Sequence, residues 1–505
     1  MKTRIFALAI AMLGLHSFAQ NDIDALRYSQ TNIGGTARFI SMGGAFGALG
    51  ANTSCMSYNP AGIGVYRKGE INFTPGLRFT NVTGTMNGHS EKNFNPAFLF
   101  SGLGIAGSWD SKANKDGRHS LGMAINQLQN FTAKTSIMGY ANRKSMAKDF
   151  LANAGNATPA NLDPSYSGLA FNTYVLDTAN GSYYSFASSR FNMLQSKKIE
   201  TTGRMNEWVF SYAYGYKDKL YLGLSLGVPL ISYNHSSVYT EHDDKDSLYL
   251  KYLSSTSTFS TSYDTNAVMY YYPGLGGFKS MSYTETYKTS GKGFNLKLGI
   301  LYRVNEYLRV GAHYHTPTIL NLTDTYVYKM SSRFDEGNTY EWSYPENGGK
   351  YNYMIITPMR YGASLGFIYK NWFCFGLDYE ALDYGQSQIS GSDAGVFSDV
   401  NNSIRSKYTR ANNIRAGAEF NINPVVLRVG FASYGSPFGK TLTGNFVRNT
   451  FSGGVGFRSG NWSFDFGLIR QLYTEDYYMY NPKYSDKSEI KFSGTNFVAT
   501  IGCKF

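Results

Sequence analysis

The chain has 505 residues, of which 42% are hydrophobic, 16% aromatic and 16% charged, and its formal net charge is +12. A mean hydropathy of −0.31 and the lack of a second long apolar run exclude a helical membrane protein. No run of five basic residues occurs and the 3 cysteines lack metal-ligand spacing, so we expect no nucleic-acid partner, no metal and no cofactor.

The first nineteen residues have the pattern of an export signal. Lys2 and Arg4 provide a basic start, and an apolar run covers residues 5–15. Small residues at Ser17 and Ala19 suit a cleavage site, and the apolar run is too short to span a bilayer as a helix. We therefore predict a cleaved signal peptide at residues 1–19.

Residues 20–69 are rich in glycine and small apolar residues. The run from Gly43 to Gly50 lacks the preceding strand and the spacing of a nucleotide-binding loop. Glycine allows a coil to pack closely, so we predict that this segment folds compactly inside a larger structure. Asn59, Pro60, Ala61 and Gly62 form its most distinctive motif.

From residue 70 to the end, strand-length runs alternate between apolar and polar or small residues. Trp208, Phe210, Tyr212 and Tyr214 share one face of such a run, because side chains in a strand alternate between its two faces. Fourteen such runs occur, near residues 70–83, 94–109, 118–132, 204–216, 219–235, 282–303, 306–328, 350–370, 371–388, 406–421, 424–434, 446–459, 461–474 and 490–505. We predict an all-β fold, a transmembrane antiparallel β-barrel of about 14 strands at residues 70–505.

The connections between these strands alternate in length. Short turns are expected at residues 217–218, 304–306, 370–371, 422–424 and 459–461, and long loops at 133–203, 236–281, 329–349 and 389–405. Short turns on one side and long loops on the other are typical of bacterial outer-membrane barrels. We predict the outer membrane of a Gram-negative bacterium, with both chain ends in the periplasm. In the loop at 133–203, residues 145–154 have a helical spacing of apolar side chains.

Two further features carry a resemblance to a known family. The last strand alternates and ends on Phe505, as in the C-terminal strands of outer-membrane proteins. The stretches at 35–38, 42–46 and 57–62, with Asn59-Pro60-Ala61 just before the first strand, resemble the N-terminal hatch of FadL-type transporters of long-chain fatty acids and hydrocarbons. The glycine-rich sequence of these stretches resembles family members from Bacteroidetes-type bacteria more than the enterobacterial prototype.

The resemblance implies a plugged barrel for passive uptake of hydrophobic molecules, and not an enzyme. Residues 20–69 are then the hatch, which fills the lumen. The partners that it implies are a hydrophobic or amphipathic small molecule and the surrounding outer-membrane lipid and lipopolysaccharide, and we expect a monomer. Two alternatives stay open: a PorV-type cargo shuttle or binding protein of type IX secretion, and a haem receptor.

Alternation also assigns cationic and imidazole side chains to the barrel interior. The candidate ligand-binding residues are Arg309, His313, His315, Arg360, Arg415 and Arg428. One interpretation is a ladder of ion pairs that stabilises the barrel and the hatch. The other is that one or two of the cations hold the carboxylate of an amphipathic ligand. His313 and His315 share one face; imidazole is a common ligand of metals and haem, but two histidines without a third ligand are more often ordinary polar lining.

Overall fold

The computed structural model describes residues 22–32, 34–179, 181–185, 187, 192–245, 278–334, 337–391, 395–439 and 446–505. Within these ranges an 18-segment antiparallel sheet closes on itself, because the first strand pairs with the last. Four strands are interrupted once each, so the segments form fourteen spanning strands. The predicted all-β transmembrane barrel is confirmed. The predicted signal peptide lies outside the described residues.

Ten strands are continuous and four are broken. The continuous strands are β1 (Glu70–Met86), β2 (His89–Asp110), β4 (Leu194–Tyr216), β5 (Leu220–His242), β6 (Phe278–Arg303), β10 (Arg410–Ile422), β11 (Val425–Tyr434), β12 (Arg448–Ser459), β13 (Trp462–Tyr478) and β14 (Lys487–Lys504). The broken strands are β3 (Gly117–Asn130 and Ala133–Tyr140), β7 (Leu308–His315 and Ile319–Phe334), β8 (Thr339–Ile356 and Arg360–Tyr369) and β9 (Phe373–Asp383 and Gln388–Gly391). Pro317 and Pro358 lie in two of the breaks, since proline has no N–H for the sheet ladder.

The outward side chains of β6 show where the lipid-facing surface ends. Those from Phe294 to Tyr302 are apolar and exposed, whereas Lys292, Ser290 and Lys288 continue the same face with polar groups. A transmembrane strand needs about 10 residues. The 26 residues of β6 therefore extend well beyond the bilayer on the side of the long loops.

The hatch fills the interior at the level of the lipid-facing band. Its elements are α1 (Asp22–Ser29), α2 (Ala37–Ser41) and two 3-10 helices, Thr53–Ser57 and Pro60–Val65. Thr36, Asn52 and Asn59 begin the last three elements, and the side chain of each accepts a backbone N–H of its helix. Phe46 and Met56 are fully buried against the wall. Within the described ranges, no helix is both long enough and apolar enough to cross a bilayer.

The described residues between β3 and β4 (141–179, 181–185, 187 and 192–193) fold over the barrel mouth, and we call them the lid. It contains α3 (Met146–Ala154), a 3-10 turn (Pro159–Asn161), α4 (Ser167–Asn172) and a hairpin (Leu176–Ala179 with Ser182–Ser185). The helix predicted at residues 145–154 is confirmed by α3. A second loop helix, α5 (Ser398–Lys407), precedes β10, and a 3-10 turn (Tyr384–Gln386) lies in the break of β9.

The predicted long loop at 329–349 is wrong. β7 continues to Phe334 and β8 begins at Thr339, so the connection there is short. Likewise β4 begins at Leu194, inside the predicted loop 133–203, and β5 continues to His242, inside 236–281. Above the membrane the outer face of the barrel is polar and apolar side chains such as Met330 and Phe334 point inward, so the apolar face that marks the lipid-facing segments is not continued there.

Candidate functional site

Glycines on the inner face of the barrel form the surface on which the hatch backbone packs. One row crosses four adjacent strands, because Gly366 pairs with Gly376, Gly376 with Gly417, and Gly417 with Gly430. A Cβ placed on Gly417 would lie 2.3 Å from the carbonyl oxygen of Met42 in the hatch. No side chain fits at that distance. The hatch is therefore in direct backbone contact with the wall.

Asn59 fastens the hatch to this wall. Its Nδ2 donates to the carbonyl oxygens of Gly47, at 2.7 Å, and of Ile300 in β6, at 3.2 Å. Its Oδ1 accepts the N–H of Ala61 at 3.2 Å and so begins the second 3-10 helix. A Cβ on Gly299 would lie 2.0 Å from the same Oδ1. The Asn-Pro-Ala motif thus joins two parts of the hatch to one strand.

Four of the six predicted lumen residues lie around Glu380 of β9 or Tyr58 of the hatch. They are His313, His315, Arg360 and Arg415. Glu380 on β9 receives Arg415 Nη2 at 3.2 Å, Arg360 Nη1 at 3.4 Å and Asn413 Nδ2 at 2.8 Å. His313 Nε2 lies 3.9 Å from the other carboxylate oxygen. The Glu380 side chain is 2% exposed, so this carboxylate needs the neighbouring cations to offset its desolvation.

The same group of residues contacts the hatch directly. The Arg415 guanidinium lies 4.2 Å from the centre of the Tyr58 ring, within the range of a cation–π interaction. His315 Nε2 lies 2.6 Å from the Tyr58 carbonyl oxygen, so this ring nitrogen donates. Arg360 Nη1 donates to Thr31 Oγ1 at 2.9 Å. Ligand access to these groups therefore requires the hatch to move.

The other two predicted lumen residues also engage the hatch. Arg309 donates to the Leu49 carbonyl oxygen at 2.8 Å. Arg428 donates to Glu419 at 2.6 Å, and Arg38 of the hatch binds both oxygens of the same carboxylate at 2.8 Å. Five of the six residues thus contact the hatch directly, and Arg428 reaches it only through Glu419; their ligand-binding role stays a prediction.

Sequence analysis did not single out the carboxylate that faces Lys297. Glu207 on β4 forms a buried ion pair with Lys297, whose Nζ also lies 2.6 Å from Asn295 Oδ1. The group lines a polar cavity of about 60 Å³ beside Tyr28 and His315. The position of Glu207 on the inward face of a strand could have predicted this ion pair, because a buried charge needs a partner.

Above the hatch, the interior is apolar and aromatic. Buried side chains of the lid pack against inward side chains of the strands above the membrane. The lid contributes Met146, Phe150, Leu162, Leu169, Val175 and Leu176, and the wall contributes Tyr239, Phe278, Met281, Tyr283, Tyr328, Met330 and Phe334. We call this region the aromatic chamber. In this structure the lid fills it.

A buried carboxylate holds the start of α3 in the lid. Glu241 Oε2, well beyond the lipid-facing part of β5, accepts the N–H of Met146 at 3.2 Å and the Tyr239 hydroxyl at 2.9 Å. Burial raises the pKa of Glu241 to about 7, although hydrogen bonds from Ser145 and Tyr239 oppose this shift. The lid is thus anchored by a group that titrates near neutral pH.

Between the lid and the rest of the hatch lies α1. Its Tyr28 ring makes edge contacts with Phe131 at 6.0 Å and Tyr233 at 6.4 Å between centroids. Asp22, at the other end of α1, receives Lys407 Nζ of α5 at 2.8 Å. The interior is therefore occupied in three layers: lid, α1 and the glycine-packed part of the hatch.

A closed fourteen-stranded barrel whose N-terminal segment fills the interior is a plugged transmembrane barrel. No family model and no curated protein matches the chain. Among solved structures, a FadL homologue of Pseudomonas aeruginosa aligns with 94% of this chain and 100% of its own, at a TM-score of 0.53 and 13% identity. The toluene transporter TodX of Pseudomonas putida aligns with 94% and 99%, at 0.52 and 12% identity. The chain has the fold of the FadL-type channels.

Proposed function

We propose that the protein is an outer-membrane channel for the passive uptake of hydrophobic small molecules, long-chain fatty acids or similar compounds. Two structures with the same fold support this proposal: one is a FadL homologue and the other transports toluene. The activity is transport, and none of the contacts of the described lumen residues requires a chemical step.

The aromatic chamber is the observation that carries the proposal. A diffusion porin has a polar, water-filled lumen. Here the wall above the hatch presents Tyr239, Phe278, Tyr283 and Phe334 to the interior, each at most 3% exposed. Apolar and aromatic surface favours a hydrophobic ligand over water.

The route requires two displacements. A ligand enters when the lid leaves the aromatic chamber, and it then meets α1 and the hatch. Because wall glycines hold the hatch backbone over a large area, the hatch shifts locally and stays inside the barrel. A shift at Tyr58 and Thr31 frees Arg415 and Arg360, whose guanidinium groups then bind the carboxylate of an amphipathic ligand.

The proposed orientation places the short turns in the periplasm. The C-terminal strand β14 ends at that rim beside the start of β1, where Glu70 pairs with Lys504. The described chain begins at Asp22, inside the barrel and next to α5, so the periplasmic N-terminus stays a prediction. We propose a monomer, because the closed sheet leaves no strand edge among the described strands for a second copy.

The direct test is uptake by cells. A Gram-negative strain that lacks its own fatty-acid channel is supplied with the chain, and entry of labelled oleate and of toluene is measured at equal surface expression. We expect faster entry of at least one compound than with empty membranes. If neither compound enters faster than it does without the chain, the proposal is wrong.

The two alternatives gain no support from the site. His313 and His315 lie between the wall and Tyr58 of the hatch, at 5% and 7% exposure, which leaves no space for a macrocycle between them and the hatch. No contact among the described residues points to a secreted protein as cargo. Purified protein that binds haem, or a secretion defect without an uptake defect, would reverse this preference.

A further inference from the structure

Just above the lipid-facing band, one side of the barrel carries a group of exposed cations. Arg204 on β4, Lys288 and Lys292 on β6, and Lys350 on β8 all point outward. None of the four joins an ion pair within the described ranges. We call these four residues and the polar side chains between them the headgroup patch.

Strand pairing brings these residues together. Arg204 pairs with Ser232, which pairs with Ser290 between Lys288 and Lys292. Arg204 therefore lies on the same outer face as these two lysines, two strands away. Lys288 pairs with Thr325, and Thr325 pairs with Lys350. Adjacent strands are about 4.8 Å apart, so the patch spans roughly 20 Å across the wall.

The patch begins where lipid contact ends. Lys292 is followed on the same face of β6 by Phe294, which pairs with Ile319, and both are more than 40% exposed. Below this line the wall is apolar. The cations therefore lie at the depth of the lipid headgroups, on the side of the long loops.

Hydroxyl and amide groups occupy the space between the cations. Ser232, Ser290, Thr323 and Asn352 form one continuous row across four strands, and Thr323 donates to Asn352 at 2.7 Å. Glu200, on the outer face of β4, is paired with Lys134 at 3.0 Å, whereas Glu346, four residues from Lys350 on β8, is exposed and joins no ion pair among the described residues. The patch thus combines four unpaired cations with hydrogen-bonding groups and a single exposed acid near its edge.

The opposite side of the barrel differs. There Lys487 is paired with Asp476 and Lys491 with Glu489, each at 2.8 Å, so the charges are neutralised within the protein. Arg470 on β13 is also an exposed cation outside the described ion pairs, but its cross-strand partners are Phe451 and Thr495, whereas the headgroup patch brings four such cations together. Such charge attracts anionic headgroups at a membrane surface.

We propose that the headgroup patch binds a phosphorylated glycolipid of the outer leaflet. The cations bind its phosphates, the row of hydroxyl and amide groups binds its sugars, and the apolar wall below contacts its acyl chains. This inference rests on the outer-membrane orientation of the proposed function, and not on which compound the channel carries.

The test uses the mature chain in nanodiscs of neutral lipid, titrated with lipid A or with lipid A stripped of its phosphates. The patch variant is R204Q/K288Q/K292Q/K350Q. The matched control, K68Q/K112Q/K115Q/K370Q, removes four exposed positive charges at the rim of the short turns. Heat-modifiable migration confirms that each barrel is folded.

We expect wild type and the rim control to bind lipid A at least ten-fold more tightly than the patch variant. Removal of the phosphates should lower wild-type binding to the level of that variant, and added salt should weaken it. Equal binding by the patch variant, an equal loss in the rim control, or no dependence on the phosphates would each overturn the proposal. Binding is measured without transport, so a failed uptake experiment leaves this result unaffected.

Discussion

At the scale of single residues, Asn59 connects the hatch to itself and to the wall. It is fully buried. Its Nδ2 donates to the carbonyl oxygens of Gly47 and Ile300, and its Oδ1 accepts the N–H of Ala61. The four-residue motif that defined the resemblance thus has a physical role. Proline at position 60 suits the first turn of the 3-10 helix, where its missing N–H is not needed.

Replacing Asn59 by alanine should loosen the hatch by about 2 kcal/mol, because two carbonyl groups lose a donor and the helix loses its cap. Amide hydrogen exchange in residues 34–66 should become roughly thirty-fold faster. Asn421→Ala is the control, since that side chain donates to Asn371 at an exposed turn. Similar exchange in both variants would show that Asn59 does not fasten the hatch.

Arg360 and Arg415 are the residues proposed to hold a ligand carboxylate. Arg360→Gln or Arg415→Gln should weaken the binding of oleate about ten-fold and leave the binding of the uncharged oleyl alcohol unchanged. Arg303→Gln, at the rim, is the control. Binding is measured by displacement of a fluorescent fatty acid. An equal loss for both ligands would instead assign these arginines to hatch stability alone.

At the scale of elements, the wall glycines decide how the hatch fits. Gly417→Ala places a methyl group against the Met42 carbonyl oxygen and should unseat the hatch without opening the barrel. Limited trypsin digestion should then cleave at Arg38 in the variant and not in wild type. Gly107→Ala is the control, because its Cβ would meet nothing within 4 Å. Cleavage in neither variant would contradict close backbone packing.

The lid is expected to respond to pH through Glu241. Burial in the closed lid raises the pKa of this acid from 4.5 to about 7, so the closed lid favours the protonated form. Its stabilising effect is complete at acidic pH and is lost as the pH rises through about 7. Amide exchange in α3, corrected for the base-catalysed intrinsic rate, should therefore accelerate as the pH rises from about 4.5 to about 7 and level off above it. In Glu241→Gln this acceleration should disappear; if it persists, another group is responsible.

How much of the fold could be predicted depends on the environment of each strand segment. Within the bilayer, alternation is strong, and runs such as Trp208 to Tyr214 located the strands. Above it, residues such as Lys329 and Arg333 are polar and face water, so the sequence predicts a loop at 329–349, where β7 ends and β8 begins. The apolar side chains there, such as Met330 and Phe334, face the lid and not the lipid, so the apolar face changes sides along one strand.

The candidate site was predicted in part. Alternation placed His313 and Arg415 inside the barrel, but it could not show that both face Tyr58. Hatch glycines pack closely as predicted, since a Cβ on Gly43 would lie 2.8 Å from the Phe431 carbonyl oxygen, but the sequence does not predict that wall glycines such as Gly299 and Gly417 receive the hatch. Contacts between residues so distant in the chain depend on register and hatch position, which a single sequence does not contain.

At the scale of the whole molecule, the interior is closed by the lid, α1 and the hatch in succession. Passage of any ligand therefore requires these layers to move, and we propose that movement of the hatch is decisive. A disulfide between hatch and wall tests this directly. A Cβ on Gly64 would lie 3.4 Å from the Cβ of Ala213 on β4, close to the separation that a disulfide needs.

The most direct measurement is oleate and toluene uptake by cells that carry Gly64→Cys with Ala213→Cys, after Cys55, Cys374 and Cys503 have been replaced by alanine. Mass spectrometry verifies the cross-link, and each single-cysteine variant is the control. The account predicts that the oxidised protein is blocked and that reduction restores uptake to the level of the controls. Undiminished uptake through a fully cross-linked barrel would contradict a hatch-gated channel.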